Sequence, residues 1–267
     1  MPNLYAADAR PKVEVNTSHR YGQLLVHEDL KFAIKANEFV CICGPSGCGK
    51  TTLLDYLAGI IKPSHGSVLI DNTPANPKYQ SISFVFQEPS TFPWLTVADN
   101  IATGLRIKGA SKSEIAQKVR EITALVGLTG FEGYYPHQIS GGMKQRVAIA
   151  RAFATDADLI LMDEPFVSLD QPTRERMQRE VLDIWRKRKR TVIFVTHNIE
   201  EAVFLADRVL ILSAKPARIV ADLQVRLERP RDPLSGEFMR LRAECVHWLH
   251  DSNSAAQSQR IKAVIGE

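Results

Sequence analysis

Apolar residues along this chain repeat with two different periods, and the order in which those periods alternate sets the fold class. Phe39–Cys43, Ser81–Phe86, Asp158–Met162, Thr191–Thr196 and Arg208–Leu212 are near-continuous apolar runs. They read as strands buried on both faces, the pattern of a parallel sheet covered by helices. The earlier segments Lys12–Val15, Leu30–Ile34 and Ser67–Ile70 alternate apolar with polar positions, which predicts an antiparallel sheet beside the main core. From Pro89 to Thr155 strand-like runs disappear. Ser111-Lys-Ser-Glu114 opens a helix through Val126 with a capping box, and Ser140 caps another that runs to Ala154. A further helix, Gln171 to Lys187, carries Met177, Val181, Ile184 and Trp185 on one stripe, a spacing that predicts core packing. The basic run Arg186 to Arg190 closes it, where cations oppose the negative end of the helix dipole. The expected fold is α/β: a mostly parallel core sheet, an N-terminal antiparallel β subdomain and an inserted α-helical subdomain at about residues 89–155. One domain is expected over 1–250, followed by a polar, flexible tail at 251–267.

Composition narrows the function without naming it. The chain has 267 residues, of which 45% are hydrophobic and 24% charged, enough to bury a large core and too apolar for wholesale disorder. A net charge of +4 is too mild to imply a nucleic-acid partner, and none is expected. No run approaches the roughly 18 apolar residues that cross a bilayer. Met1–Val15 has no apolar core of signal-peptide type, so a cytosolic location is expected, with membrane association only through a partner. Cys41, Cys43, Cys48 and Cys245 lack the second cysteine pair that a zinc site would need. They are expected to be small core residues plus one loop filler.

Chemistry enters at Gly44-Pro45-Ser46-Gly47-Cys48-Gly49-Lys50-Thr51, which fits the phosphate-loop pattern between an apolar strand and a helix that begins Thr51-Thr52-Leu53-Leu54. Glycines let successive backbone N–H groups turn inward around phosphates, and the helix N-terminus adds a positive dipole end beneath them. Lys50 is expected on the β- and γ-phosphates of ATP, and the Thr51 hydroxyl on Mg²⁺. The apolar run Leu159–Met162 ends in Asp163-Glu164. Asp163 is expected to hold Mg²⁺, usually through water, and Glu164 to act as general base toward the attacking water.

Ile139-Ser140-Gly141-Gly142-Met143-Lys144-Gln145-Arg146 resembles the signature segment of ABC ATPases. A serine and two glycines at a helix N-terminus make an anion site, and the resemblance implies that it faces the nucleotide of a second subunit. The other ABC segments follow in order. Tyr21 is similar to the aromatic that stacks on adenine, and Gln87 to the glutamine that senses Mg²⁺ and the attacking water. Ser168-Leu169-Asp170 resembles the D-loop, and His197 the switch histidine. The resemblance covers roughly Val13 to Arg231. It implies a P-loop NTPase (RecA-like) core and nucleotide contacts from Tyr21, the residues Gly44 to Thr52, Ser140, Gly141, Gly142 and Asp170. Glu164, His197, Gln87 and Lys50 are the implied catalytic groups, and Thr51, Gln87 and Asp163 the implied Mg²⁺ contacts. The sequence departs from the pattern at Met143, usually glutamine, and at Asn37, commonly glycine.

Gln87-Glu-Pro, Phe92-Pro-Trp94-Leu-Thr-Val-Ala-Asp-Asn100 and Thr196-His-Asn-Ile-Glu-Glu-Ala-Val203 are most similar to the ATPases of nitrate, sulfonate and taurine importers. That likeness implies transmembrane permease subunits, a periplasmic solute-binding protein, a homodimer or a pair with a sister ATPase, and a place on the cytoplasmic face of the inner membrane. A soluble ABC ATPase is the alternative, but repair members need a long coiled coil between Gln87 and Ser140, and translation members a second phosphate loop. A small-molecule kinase would need no signature segment. Phe92, Pro93, Trp94 and Leu95 either pack inward or rim a groove for a short helix of the membrane subunit.

Overall fold

The computed structural model describes residues 10–265, and of 252–265 only the helical backbone. The antiparallel sheet holds β1 (Val13–Tyr21), β2 (Leu24–Ile34), β4 (His65–Ile70) and the short β5 (Thr73–Pro74) in the order β2-β1-β4-β5. The second sheet runs β10-β9-β3-β8-β7-β6, with β3 (Phe39–Cys43), β6 (Ile82–Val85), β7 (Leu159–Asp163), β8 (Thr191–Thr196), β9 (Arg208–Leu212) and β10 (Ile219–Gln224). Its pairings are parallel except β10 with β9, so the sheet carries one antiparallel edge strand. The predicted α/β architecture is the observed one.

The central strands β9, β3, β8 and β7 are buried along their whole length, with successive side chains pointing to opposite, covered faces. Phe39, Cys41 and Cys43 join the core beneath the helices, while Val40 and Ile42 join the core shared with α1 (Lys50–Leu57) and the antiparallel sheet. All four cysteines are free and buried, so they pack as small apolar side chains. Asn37 sits at φ 62° in the turn before β3. Asparagine tolerates that left-handed conformation better than other residues with a side chain, which accounts for its standing where glycine is common.

Between β6 and β7 the chain forms α2 (Val97–Ile107), α3 (Lys112–Leu125) and α4 (Gly141–Ala154). The Ser111–Glu114 capping box is formed, and Ser140 caps α4. Helix α5 (Gln171–Lys187) buries Met177, Val181, Ile184 and Trp185, the predicted stripe. Then come α6 (Ile199–Leu205) and α7 (Gly236–Ile265). Where polar composition suggested a tail from Asp251, helical backbone continues to Ile265; that stretch has no proline or glycine to stop a helix.

Candidate active site

The site forms where neighbouring strands end. β3, β8, β7 and β6 lie side by side in parallel, so the loops after their carboxyl ends share one edge of the sheet, the usual ligand position in open α/β folds. The phosphate-loop residues follow β3, His197 follows β8, Asp163-Glu164 close β7, and Gln87 follows β6. The register fixes their spacing, with Cys43 beside Thr196 and Asp163 beside Val195.

The loop itself is held by close backbone approach. A Cβ on Gly44 would lie 2.9 Å from the Cys48 sulfur and 3.1 Å from Leu212 Cβ. Gly49, the N-cap of α1, has φ 112°, a conformation that residues with a side chain rarely reach. Lys50 is buried, and its ammonium donates to the carbonyls of Gly44 at 3.0 Å and Pro45 at 3.1 Å. Thr51 Oγ1 donates to Asp163 Oδ2 at 2.7 Å. Burial raises the Asp163 carboxyl above its ordinary pKa, against the opposing Thr51 hydrogen bond. Thr51 and Asp163 together present hard oxygen donors, the type that suits Mg²⁺. Among the described residues no group of three or more His, Cys, Asp or Glu could hold a metal by itself. A cation here would therefore complete its shell with phosphate oxygens and water, as Mg²⁺ ordinarily does.

Glu164 turns sharply at the strand end. Its N–H donates to the Val195 carbonyl at 2.9 Å, and its φ is 44°, a left-handed position that costs a residue with a side chain on the order of 1–3 kcal/mol. The turn brings one carboxylate oxygen to 3.9 Å from the Lys50 ammonium and the other to 2.7 Å from His197 Nδ1. An ionised carboxylate only accepts, so Nδ1 carries the hydrogen of that bond. Lys50, Thr51, Asp163, Glu164 and His197, picked out on separate stretches of sequence, are thus brought together by this one chain.

The remaining candidates lie apart from that cluster. Gln87 is exposed after β6. Tyr21 is half exposed at the end of β1, its ring edge-on to His19 at 4.5 Å. Ser140 and Gly141 are exposed, and Ser140 Oγ accepts from the Met143 N–H at 3.3 Å. Asp170 is exposed and caps α5 by accepting from the Thr173 N–H at 3.4 Å. Among the described residues, no hydrogen bond or ion pair joins Ser140, Gly141, Gly142 or Asp170 to the phosphate loop; Ser140, Gly141 and Asp170 are open to solvent and Gly142 is half-buried.

Supporting residues escaped the sequence reading. Buried Gln145 donates to the Phe86 carbonyl at 3.3 Å, tying the signature helix to the strand end beside Gln87. Arg151 of the same helix donates to the Ser90 carbonyl at 2.7 Å and lies over the Phe92 ring. Buried Asn100 accepts from the Phe92 N–H and donates to the carbonyls of Phe92, Leu95 and Thr96. These bonds fix the 92–96 loop so that Phe92 and Leu95 are half-buried while Pro93 and Trp94 stand out, Trp94 at 71% exposure. The inward-packing alternative for Trp94 is therefore excluded. On the switch side, buried Glu201 accepts from Thr196 Oγ1 at 2.7 Å, and Arg174 Nη2 donates to the Leu169 carbonyl at 3.0 Å. Nothing in the sequence alone separates such residues from surface polar ones. The partners of Gln145 and Arg151 are distant along the chain, and those of Asn100, Glu201 and Arg174, though near in sequence, are backbone carbonyls or side chains that only the folded loops bring to them.

Known proteins resemble this chain in sequence and fold. Residues 27–167 match the family model described as ABC transporter. An uncharacterized ABC transporter ATP-binding protein of Methanocaldococcus jannaschii is 46% identical over 224 residues, covering 84% of each chain. An aliphatic sulfonates import ATP-binding protein of Bacillus thuringiensis subsp. konkukian is 43% identical over 239 residues, 88% of this chain and 94% of that one. Among solved structures, an ATP-binding cassette dimer in a post-hydrolysis state with ADP and phosphate superposes with a TM-score of 0.71 at 31% identity. It covers 81% of this chain and all of that one. The clustered phosphate-loop, carboxylate and histidine groups and these similarities agree: the chain belongs to the ABC transporter family and is an ATP-binding, ATP-hydrolysing subunit.

Proposed function

We infer that this subunit drives an importer of small anions, aliphatic sulfonates or closely related solutes, by closing as a dimer around two ATP–Mg²⁺. The observation that carries this reading is a division within the chain. Lys50, Thr51, Asp163, Glu164 and His197 form one compact cluster, while Ser140 and Gly141 stand exposed at the start of α4. An exposed anion site on the chain that also carries a phosphate loop suits a nucleotide held between two copies, or between this chain and a sister ATPase.

Within each half, the loop N–H groups and Lys50 bind and orient the triphosphate. Thr51 and Asp163 hold Mg²⁺, which when bound neutralises phosphate charge, and Gln87 contacts it from the neighbouring strand end. Tyr21 stacks on the base. Glu164 orients the attacking water and takes its proton, and His197 holds the Glu164 carboxylate in place through Nδ1–H. Ser140 and Gly142 of the partner subunit close over the γ-phosphate, with Asp170 at the same interface.

Coupling to the membrane runs through Trp94. No helix among the described residues is long and apolar enough to cross a membrane, so transport requires permease subunits, with a solute-binding protein delivering cargo to them from outside. Trp94 presents an exposed aromatic a few residues after Gln87, suited to receive a short helix from such a subunit on the cytoplasmic face. The sulfonate class is supported by the sulfonate-import relatives. The test is uptake of a labelled alkanesulfonate in cells with and without the gene. Loss of uptake, restored by the wild-type gene and not by a Glu164→Gln copy, is expected. Unchanged uptake overturns the solute assignment.

A further inference from the structure

Behind the phosphate loop lies a buried ring cluster that the hydrolytic reading leaves unused. His27 of β2 is fully buried, at 0% exposure. Its Nε2 is 3.1 Å from the Gly49 carbonyl oxygen, and its Nδ1 is 3.1 Å from the Tyr56 hydroxyl of α1. These partners determine the tautomer. A carbonyl oxygen only accepts, so Nε2 carries the hydrogen; Nδ1 is then bare and accepts from Tyr56. Burial lowers the His27 pKa to about 4, so the ring is neutral around neutral pH and the tautomer persists. On its other side Tyr56 meets the ring of His19 at 5.2 Å, and His19 meets Tyr21 at 4.5 Å.

The Gly49 carbonyl is a consequential atom to hold. It accepts from the Leu53 N–H at 2.9 Å, the first bond of α1, and His27 supplies its second donor. A trans peptide is planar, with C=O and N–H pointing in opposite directions. Fixing the Gly49 oxygen inward therefore aims the Lys50 N–H outward, toward the concavity of the loop. Gly49 has no side chain to steady it, and its φ of 112° is one that a glycine leaves readily. The contact is also close: a Cβ at position 49 would lie 2.5 Å from His27 Nε2.

We propose that His27, held as its Nε2–H tautomer by Tyr56, is a positioning residue for the phosphate loop, presetting the Gly49–Lys50 peptide for ATP. This rests on the reading of residues 44–51 as the ATP phosphate site. Because Glu164 and His197 follow β7 and β8 and make no hydrogen bond with His27, its loss falls on nucleotide binding and spares the chemical step. The gain is preorganisation, since a loop already ordered loses less freedom when ATP arrives.

The test compares full-length wild type with His27→Leu, His27→Gln, Tyr56→Phe and Lys50→Ala. It reads KM and kcat for ATP, the Kd for a fluorescent ATP analogue with Mg²⁺, and the melting temperature. For His27→Leu, KM and Kd rise about three- to tenfold, the worth of one buried hydrogen bond, with kcat within about twofold. His27→Gln, whose amide donates from a similar reach, returns both to within about twofold of wild type. Tyr56→Phe frees the ring to adopt the other tautomer and raises KM in the same direction by less. A wild-type KM in His27→Leu overturns the proposal, as does an equal rise in the Leu and Gln variants that tracks their loss of melting temperature. If His27→Leu does not fold, Tyr56→Phe decides by the same criterion. Lys50→Ala separates the two levels. If it loses ATP binding while His27→Leu does not, the positioning role alone fails; if it too binds normally, the phosphate-loop reading fails with it.

Discussion

The two helix starts proposed as anion sites in this chain are built to different degrees of completion. At the N-terminus of α1, Lys50, Thr51, Asp163, Glu164 and His197 already touch, with hydrogen bonds of 2.7 Å joining Thr51 to Asp163 and His197 to Glu164. Lys50 is buried, and His27 backs the loop from behind. At the N-terminus of α4, Ser140 bonds only its own helix and Gly141 is open to solvent. The first site is made by strand ends that the sheet holds in fixed register. The second lies on the helical insert, outside that register. A site completed within one chain can be rigid, whereas one completed by another surface must stay accessible. On the proposed reading, that difference is what would let ATP control association.

The largest expected effect lies in the completed half. Glu164→Gln keeps the shape of the side chain and removes the proton acceptor, so ATP hydrolysis should fall about 10²–10⁴-fold while ATP still binds. Steady-state hydrolysis and nucleotide binding check it together. Near-normal turnover would move the base elsewhere, His197 being the first candidate.

The open half is probed by Ser140→Arg. A bulky cation at the start of α4 occupies the surface that a second subunit's nucleotide would approach, while the phosphate loop of the same chain is untouched. In a Glu164→Gln background, which holds ATP unhydrolysed, sedimentation should show loss of the ATP-dependent dimer with monomer nucleotide affinity retained. An undiminished dimer would mean that the exposed signature is not half of a shared site.

Much of this contrast could be read from the sequence, because each half is announced by residues contiguous in the chain. Gly44 to Thr51 is a local pattern whose chemistry follows from its own spacing, Asp163-Glu164 takes its meaning from that loop, and Ser140 to Gly142 is legible through its resemblance to the ABC signature. The α/β alternation was equally legible, and α5 has the predicted bounds. What stayed hidden depends on partners far away. His27 lies before the alternating segment Leu30–Ile34 that the sequence marks, and only the fold puts it under Gly49 and Tyr56. Gln145 is an ordinary helix residue until the Phe86 carbonyl comes into place, and Asn100, whose partners are near in sequence, until the 92–96 loop folds back over its amide. β10 was missed because a short edge strand with polar positions has little hydrophobic signal. Helix α2 gives little local signal despite its Thr96 cap, because its β-branched residues and an internal glycine give it modest helix propensity.

That loop offers the next test. Trp94 is 71% exposed, while Asn100 and Arg151 hold the backbone around it. Trp94→Ala should therefore leave the melting temperature and ATP binding unchanged. Association with the permease subunits should weaken by about 2 kcal/mol, roughly 30-fold, as for a central aromatic anchor. Co-purification and transport read this directly. Unchanged assembly would place the membrane contact on another part of the helical insert.

The smallest expected effect concerns what the completed half costs. Asp163 is a buried carboxylate whose pKa is raised, chiefly by desolvation, while its bond from Thr51 works the other way. A carboxyl with a folded-state pKa above its unfolded value binds its proton more tightly in the folded protein. Its contribution to stability therefore grows as pH falls toward the ordinary carboxylate range and is unfavourable near neutrality, the reverse of a salt-bridged aspartate. Asp163→Asn removes the charge and keeps an oxygen to accept from Thr51. Without nucleotide at neutral pH, the variant should melt higher than wild type by about 2–4 °C, the shift that about 1 kcal/mol gives in a chain of this size. The gap should narrow on acidification, because the wild-type carboxyl then takes up its proton. Adding Mg²⁺ and ATP should reverse the order: the wild type then gains a cation beside its buried charge, and the variant has no charge to pair. A variant that melts lower than wild type at neutral pH would show that hydrogen bonding, and not burial of charge, governs Asp163. The completed site would then carry no stability cost for its readiness to bind metal.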